Sequence, residues 1–158
     1  MRLFIKRDDK FVPAPRPAVM SAAYAYFAND LARGDALTTP SLVYGLCRTA
    51  IGYSEREEFL VLFLDSQHRL ISADVMFQGT LNSASIHPRE VAKAALLKNA
   101  AAVIVSHNHP SGIVEPSQAD RTITDRIQAA LQLIEVRLLD HVIVSPCAAM
   151  SFAEKGWM

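Results

Sequence analysis

The sequence predicts a layered α/β/α domain built on a mixed β-sheet. Short apolar runs bounded by turn residues are typical of buried strands, and such runs lie at 59–64, 101–106 and 136–145. Segments with helix start signals alternate with these runs, and strands that alternate with helices are typical of layered α/β domains. The fold class therefore follows from the order of the segments along the chain.

The first third of the chain is predicted to contain an arm and two helices. Residues 1–18 form a charged arm that ends in three prolines within residues 13–17, which favours an extended connector. Apolar residues at helical spacing then predict two helices, each closed by a glycine. These helices and their stops are 19–33 with Gly34 and 38–51 with Gly52.

The rest of the chain is predicted to alternate strands and helices. Six consecutive apolar residues from Phe59 to Leu64 indicate a strand that is buried on both faces. The predicted elements are, in order, a hairpin of strands 57–64 and 69–77, a short strand 81–86, a helix 88–98, a strand 101–106, a helix 117–133, a strand 136–145 and a short strand at 150–152. We therefore divide the chain into an arm at 1–18, a helical part at 19–56 and a sheet-containing domain at 57–158.

Composition and charge limit the function classes. Of the 158 residues, 51% are hydrophobic and 20% are charged, which is ordinary for a globular domain. The 16 basic residues balance the 16 acidic residues, so the formal net charge is zero. Nonspecific binding to nucleic acid depends on basic side chains that neutralise phosphates, so the charge argues against direct DNA binding.

The sequence also predicts a cytoplasmic protein. Cys47 and Cys147 form neither a Cys-x-x-Cys pair nor a disulfide framework. No apolar run has the length of a membrane span, and the start of the chain lacks the layout of a signal peptide. The oligomeric state is left open.

One stretch of the chain predicts a metal site. His107 and His109 follow the apolar run 101–106, and side chains alternate along a strand, so both histidines should point the same way. Ser117 and Asp120 lie at the start of the next predicted helix. Imidazole nitrogen and carboxylate oxygen are ligands of zinc. A strand end that faces a helix start would therefore bring together two histidines and an aspartate, with a hydroxyl beside them.

The same residues have a purely structural interpretation. Ser117 and Asp120 have the spacing of a capping box, in which a serine caps the helix and the acidic residue three positions later reaches back. This interpretation accounts for both residues without a metal. It does not account for two of the chain's five histidines lying beside that cap, and we therefore favour the metal site.

Further motifs accompany this stretch. They stand in order at Glu57–Phe59, Leu64–Gln67, Gly79-Thr80, His87–Glu90, His107–Gly112, Pro116–Asp120 and Leu139–His141. In this series, which runs from Glu57 to near the end of the chain, the sequence resembles the RadC family, bacterial members of the JAB/MPN (JAMM) metalloprotease-like superfamily. The superfamily signature is a Glu, then His-x-His, seven residues, Ser, two residues and Asp, and this sequence fits that count. The resemblance is to the short form of the family, without an N-terminal helix-hairpin-helix region.

The resemblance implies a JAB/MPN-like fold for residues 57–158 and a role for each residue of the signature. It implies that His107, His109 and Asp120 hold Zn²⁺, with water in the fourth position. It also implies that Glu57 handles protons for that water and that Ser117 helps to hold the oxyanion. The implied function is a zinc metallopeptidase that hydrolyses peptide or isopeptide bonds in a protein or peptide substrate, in a family traditionally associated with DNA repair.

Two positions within the motifs need separate comment. Asn108 lies between the histidines, where isopeptidases of the superfamily often have Ser or Thr; this change leaves the ligand set intact but bears on the substrate groove. Glu57 and Glu58 should point to opposite faces of their strand. Periodicity does not choose between them because every residue from 59 to 64 is apolar, whereas the family pattern Glu-x-Phe selects Glu57.

Other functions fit the sequence less well. A zinc nucleobase deaminase needs Pro-Cys-x-x-Cys, and Cys147 has no second cysteine after it. The letters His-Asn-His name dispersed positions in the nuclease family of that name, so their occurrence here as one run is a coincidence. The remaining alternative is a non-catalytic metal-binding module that interacts with a DNA-processing or mobile-element system.

Asp140-His141 leads into an apolar strand and is expected to make a structural hydrogen bond.

Overall fold

The structure, a computed structural model, describes residues 3–31, 36–37, 39–79 and 86–158. Within these ranges the helices are α1 (Arg16–Leu31), α2 (Pro40–Ala50), α3 (Pro88–Leu97) and α4 (Gln118–Gln132). The strands are β1 (Phe4–Arg7), β2 (Lys10–Pro13), β3 (Glu58–Leu64), β4 (Leu70–Gln78), β5 (Ala102–Asn108), β6 (Arg137–Val144) and β7 (Ala149–Ser151).

Five of the described strands form one mixed sheet in the order β4-β3-β5-β6-β7. β3 pairs antiparallel with both β4 and β5, and β7 pairs antiparallel with β6. β5 and β6 are parallel, and parallel strands need a crossover connection, which α4 provides. β5 is therefore the central strand, and all of its residues are buried.

The alternation of side chains along β3 and β5 fills two separate cores. On one face of the sheet, Leu60 and Leu62 pack in a cluster with Leu46 of α2. On the other face, Phe59 packs in a cluster with Ile127 of α4, and α3 contributes to the same cluster. The predicted α/β/α layering around a mixed sheet is confirmed.

Most predicted elements of the second part of the chain are present. The hairpin is β3 with β4, and β3 is buried on both faces as its apolar run predicted. The strand predicted at 101–106 continues to Asn108 because His107 pairs with Phe59 and Asn108 pairs with Val144. His107 therefore lies within the strand and pairs with its neighbour, whereas the sequence predicted that the strand ends just before it. Gly34 and the predicted strand 81–86, apart from Ile86, lie outside the described residues.

The N-terminal arm differs from the prediction. β1 and β2 form an antiparallel hairpin whose turn residues, Asp8 and Asp9, have φ of 48° and 60°. The Pro-rich connector is extended only in part, because α1 already begins at Arg16. A proline is tolerated in the first turn of a helix, where its missing N–H has no intrahelical partner in any case. The prediction that the prolines lie in extended chain is therefore wrong from Arg16 onward.

α2 belongs to the same core as the sheet. Its residues Leu46 and Cys47 are fully buried in the cluster that contains Leu62. The division of the chain at 18/19 and at 56/57 stays a prediction.

Neither cysteine forms a disulfide: Cys47 is buried and Cys147 is exposed. Among the described helices, none combines the length and the apolar character that crossing a membrane requires.

We predict that Leu46→Ala lowers the free energy of unfolding by about 2–5 kcal/mol, because it leaves a cavity against the sheet. Ile71→Ala on the edge strand β4 is the control; Ile71 is 42% exposed, so its truncation should cost about 1 kcal/mol or less. Urea denaturation of both variants measures the difference. Equal costs would mean that α2 is not part of the core of the sheet domain.

Candidate metal centre

The candidate metal centre lies where three segments of the chain meet at one edge of the sheet. β3 is antiparallel to β5, so the start of β3 lies beside the end of β5, with Phe59 opposite His107. The crossover from β5 to β6 passes through α4, and the first turn of α4 carries Asp120 at this same edge. In open α/β sheets, sites form outside the carboxyl ends of parallel strands, and this site follows that rule.

The structure brings His107, His109 and Asp120 together. One ligand atom from each lies within 4.8 Å of the others. His107 Nε2 is 3.0 Å from His109 Nε2 and 3.3 Å from Asp120 Oδ1. His107 is fully buried and Asp120 is 4% exposed, whereas His109 is half-buried. The cluster is therefore open to solvent on the side of His109.

A chain of hydrogen bonds sets the tautomer of His107. The Thr124 hydroxyl donates to the backbone carbonyl of Asp120 (2.6 Å), so it accepts from His141 Nδ1–H (2.6 Å). Burial, helped by the nearby imidazoles His107 and His109, holds the pKa of His141 well below its usual range. His141 is therefore neutral, and its Nε2 accepts from His107 Nδ1–H (2.8 Å). As a result, His107 Nε2 carries a lone pair and faces the cluster.

The other ligand atoms are acceptors as well. His109 Nδ1 lies 2.7 Å from the Ile113 carbonyl and donates to it, which leaves a lone pair on His109 Nε2. Burial lowers the pKa of His107 to about 4, against the opposing effect of Asp120, so a proton shared between the rings is disfavoured. Two imidazole lone pairs and a carboxylate oxygen then converge with no hydrogen atom between them. Such an arrangement repels itself unless a cation lies in the middle.

Two of the three ligand separations match a tetrahedral metal ion, and the third, from His109 Nε2 to Asp120 Oδ2, is 3.9 Å. Zinc–nitrogen bonds of 2.0–2.1 Å at a tetrahedral angle place two ligand atoms about 3.3 Å apart. The separations of His107 Nε2 from His109 Nε2 and from Asp120 Oδ1 are 3.0 Å and 3.3 Å. Both imidazoles are oriented through their Nδ1–H groups, as is usual for metal-ligating histidines. The His-His-Asp cluster is thus able to hold a metal ion.

Asp120 is both part of a helix cap and a candidate metal ligand, the two roles that the sequence posed as alternatives. Its Oδ2 accepts from the Ser117 backbone N–H (2.7 Å), and the Ser117 hydroxyl accepts from the Asp120 N–H (3.1 Å), which completes a capping box. Its Oδ1 is the oxygen that faces His107. The helix cap holds Oδ2 of the carboxylate and thereby aims Oδ1 at His107, while His109 Nε2 lies 3.9 Å from the capped Oδ2.

Ser117 is placed at the site but is engaged with Asp120. It is exposed, and its hydroxyl donates to Asp120 Oδ2 at 2.7 Å. In this conformation the hydroxyl proton supports the carboxylate rather than an oxyanion. A role in oxyanion binding requires rotation of the side chain about one bond, and the Ser117 backbone N–H would still hold Asp120.

Glu57 and Glu58 lie at the start of β3. Glu58 is on the face of Leu60, and its carboxylate accepts from Gln78 Nε2 (3.2 Å) on the neighbouring strand. Extending the alternation by one residue places Glu57 on the face of Phe59, whose ring stacks on His107 with centroids 6.4 Å apart. Glu57 is half-buried, and its carbonyl accepts from Gly79 N–H (2.9 Å). The register is therefore compatible with Glu57 at the metal cluster and Glu58 on the opposite face.

Sequence reasoning missed Thr124 and undervalued His141. His141 makes the expected structural hydrogen bond, but its partner is a metal-ligand candidate, and Phe152 stacks on its other side with centroids 4.8 Å apart. The signal in the sequence was the placement of His141 in an apolar strand parallel to the one that carries His107. Thr124 had a weaker signal, namely its position four residues after Asp120 on one helix face.

Comparison with known proteins identifies the family. Residues 37–157 match the family model described as RadC-like JAB domain. The chain belongs to the RadC-like JAB domain family. The resemblance seen in the sequence motifs is thereby confirmed, and so is the JAB-like fold class. The matched region includes α2 and all three residues of the metal cluster.

Curated relatives of this chain include UPF0758 proteins of several bacteria. A UPF0758 protein of Vibrio cholerae serotype O1 (strain M66-2) is 52% identical over 151 residues, which are 96% of this chain and 66% of the relative. UPF0758 proteins of Vibrio atlanticus and Aeromonas hydrophila are 51% and 50% identical, each over 89% of this chain and 63% of the relative. This RadC-like chain therefore spans just under two thirds of the length of these relatives.

We predict that Thr124→Val weakens metal binding by up to about tenfold, since it releases His141, the direct partner of His107, and direct partners of metal-ligating histidines tune affinity roughly 10- to 100-fold. Stability should also fall by about 1–3 kcal/mol, because His141 Nδ1–H loses its buried acceptor. Thr122→Val is the matched control: it is the same substitution on the same helix, at an exposed hydroxyl bonded to the Gln118 carbonyl.

Chelator competition with Zn²⁺, followed by thermal unfolding, measures both quantities for the two variants. Equal metal affinity in Thr124→Val and Thr122→Val would contradict the hydrogen-bond chain as a determinant of the cluster.

Proposed function

We propose that this chain is a zinc-dependent hydrolase of peptide or isopeptide bonds. The observation that carries the proposal is the convergence of His107 Nε2, His109 Nε2 and Asp120 Oδ1, three acceptor atoms at ligand spacing in a site open on one side. Three protein ligands with an open position are the pattern of a catalytic zinc site, whereas structural zinc sites have four protein ligands.

Zinc fits the donor set. Two neutral imidazoles with one carboxylate suit zinc, whereas calcium and magnesium prefer oxygen ligands throughout. Burial keeps His107 neutral by lowering its pKa to about 4, so the ring needs no deprotonation at neutral pH. His107, His109 and Asp120 would hold the ion.

The residues around the ion have distinct parts in the proposed hydrolysis. A zinc ion held there would lower the pKa of a bound water molecule and polarise the scissile carbonyl. Glu57 takes the proton that the water gives up as its oxygen adds to the carbonyl carbon. Glu57 then returns that proton to the nitrogen as the C–N bond breaks, which is general base and general acid catalysis by one carboxylate. Ser117 turns its hydroxyl from Asp120 to the developing oxyanion.

A protein or peptide is the proposed substrate, and the cytoplasm is the proposed compartment. The zero net charge supports a protein substrate over nucleic acid, because nucleic-acid binding depends on a basic excess. The free Cys47 and Cys147 support a reducing compartment. Zinc bound without hydrolysis would instead favour the alternative of a metal-binding interaction module, for which the same cluster would be sufficient.

We predict one zinc ion per chain. His107→Ala combined with His109→Ala should abolish zinc binding, and Asp120→Asn should weaken it, because a neutral amide oxygen is a poorer ligand than a carboxylate. His68→Ala is the control, since His68 lies at the other end of β3, where it bonds Arg137. Elemental analysis of the purified proteins measures the zinc content.

Zinc retained in the double histidine variant would refute the assigned ligands. Ser117→Ala separates the two roles of the carboxylate: it should cost about 1 kcal/mol of stability through the lost cap while zinc stays bound.

We predict that Glu57→Gln keeps the fold and the zinc but removes hydrolysis, because an amide cannot accept a proton from water. Glu58→Gln is the matched control and should leave hydrolysis unchanged, since Glu58 points to the opposite face toward Gln78. Quenched fluorogenic peptides, both linear and branched through a lysine side-chain amide, serve as probes.

The reverse pattern, with Glu58→Gln inactive and Glu57→Gln active, would mean that Glu58, and not Glu57, faces the metal cluster at the start of β3. Zinc-loaded wild-type protein that cleaves none of these probes would overturn the hydrolase and leave the interaction module.

A further inference from the structure

Asn108, the residue between the two histidines, makes a set of hydrogen bonds that metal ligation does not explain. It is the last residue of β5 and is fully buried. Its side-chain Oδ1 accepts from the Glu58 backbone N–H at 2.7 Å. Its Nδ2 donates to the carbonyls of Arg56 (3.0 Å) and Ser54 (3.2 Å).

The alternation of β5 explains why Asn108 reaches this segment. Successive side chains on a strand point to opposite faces, so His107 and Asn108 cannot share a face. His107 faces the metal cluster, and Asn108 faces away from it, toward the chain that leads into β3. The expected effect of residue 108 on the substrate groove is therefore not a direct contact, because Asn108 is fully buried on the opposite face. That chain, from Ser54 to Glu57, precedes the first residue of β3, so ladder pairing with β5 does not extend along it.

The groups that Asn108 binds lie on both sides of Glu57. The Arg56 carbonyl belongs to the peptide plane before Glu57, and the Glu58 N–H belongs to the peptide plane after it. Gly79 N–H holds the second plane from the other side by donating to the Glu57 carbonyl (2.9 Å). The orientation of these two planes sets φ and ψ of Glu57, and therefore the direction in which its side chain leaves the backbone.

Only an amide side chain of this length satisfies all the groups at once. Aspartate would accept from the Glu58 N–H but could not donate to the two carbonyls, and it would bury a charge against them. A serine or threonine hydroxyl has one proton and could serve only one of the carbonyls. The chemistry of the segment thus calls for one acceptor and two donors at residue 108.

We propose that Asn108 is a positioning residue that fixes the direction of Glu57 toward the metal cluster. One tripeptide then has two functions: His107 and His109 hold the metal on one face, and Asn108 aims the proton-transfer carboxylate from the other. This inference rests on the proposed role of Glu57 in hydrolysis. It adds that the angle of approach of Glu57 is set by a residue that touches neither metal nor substrate.

The test compares Asn108→Ser with Ser106→Ala, a control on the same strand, on the same face and equally buried. In the zinc-loaded protein, amide hydrogen exchange at Glu58 should accelerate in Asn108→Ser and stay unchanged in Ser106→Ala. Zinc affinity from chelator competition should be unchanged in both variants, because the ligands are intact. Hydrolysis of the fluorogenic peptides should fall at least about tenfold in kcat with little change in KM in Asn108→Ser alone.

A spectroscopic readout separates this inference from the proposed function. In the Co²⁺-loaded protein, the pH midpoint of the visible absorption reports ionisation beside the metal. Glu57→Gln and Asn108→Ser should shift this midpoint in the same direction, and the double variant should shift it no further than Glu57→Gln alone. Shifts in both single variants without peptide cleavage would support the inference while the proposed hydrolysis fails.

A shift with Glu57→Gln but not with Asn108→Ser would overturn the inference and leave the proposed role of Glu57 standing. No shift with Glu57→Gln would overturn both. If Asn108→Ser does not fold, exchange of the Asn108 side-chain amide protons in the wild-type protein decides: slow exchange supports the clamp, and exchange as fast as that of an exposed asparagine overturns it.

Discussion

The pairing of β5 with β3 on one side and with β6 on the other is the constraint on which the site depends. Antiparallel pairing brings the entrance of β3 to the exit of β5, with Phe59 opposite His107. Parallel pairing with β6 requires the α4 crossover, which delivers Asp120 to the same edge. The entrance of β3, the exit of β5 and the start of α4 therefore become neighbours through the topology of the sheet.

The metal cluster is unfavourable without a cation, and the fold compensates for this. Removing water from a carboxylate and two imidazole lone pairs costs free energy unless each is paired. The cap on α4 pairs one oxygen of Asp120, and the chain through His141 and Thr124 ties His107 back to the backbone of the same helix. The remaining lone pairs are those that point at the common centre, so the unpaired acceptors are concentrated where a metal would bind.

The order and type of elements in the second part of the chain were predictable because local patterns decide them. The apolar run of β3, the helix start at Pro88 and the cap at Ser117 each depend on a few neighbouring residues. The helix start at Arg16 was missed because a proline in the first turn and a proline in extended chain have the same local sequence. In that segment, local pattern alone does not separate the two structures.

The site was predictable as a set of residues but not as a set of atoms. The spacing of the motif selected Asp120, yet it posed cap and metal ligand as alternatives, and only the coordinates show that each oxygen has its own partner. The contacts of Asn108 with residues about fifty positions earlier depend on the register of β5 with β3. No periodicity within one segment encodes such a register.

The burial of His107 inside β5 has a consequence for how this sequence can change in length. A one-residue deletion within 102–106 would turn both histidines toward α2 and turn Asn108 toward Asp120, because side chains on a strand alternate with a period of two. The same deletion in the connection from Pro110 to Pro116, which lies outside the sheet, would leave that alternation untouched. The strand can therefore vary only by substitution, whereas the connection keeps its seven residues for a different reason: it carries the Ile113 carbonyl that orients His109, and it joins that histidine to the cap of α4.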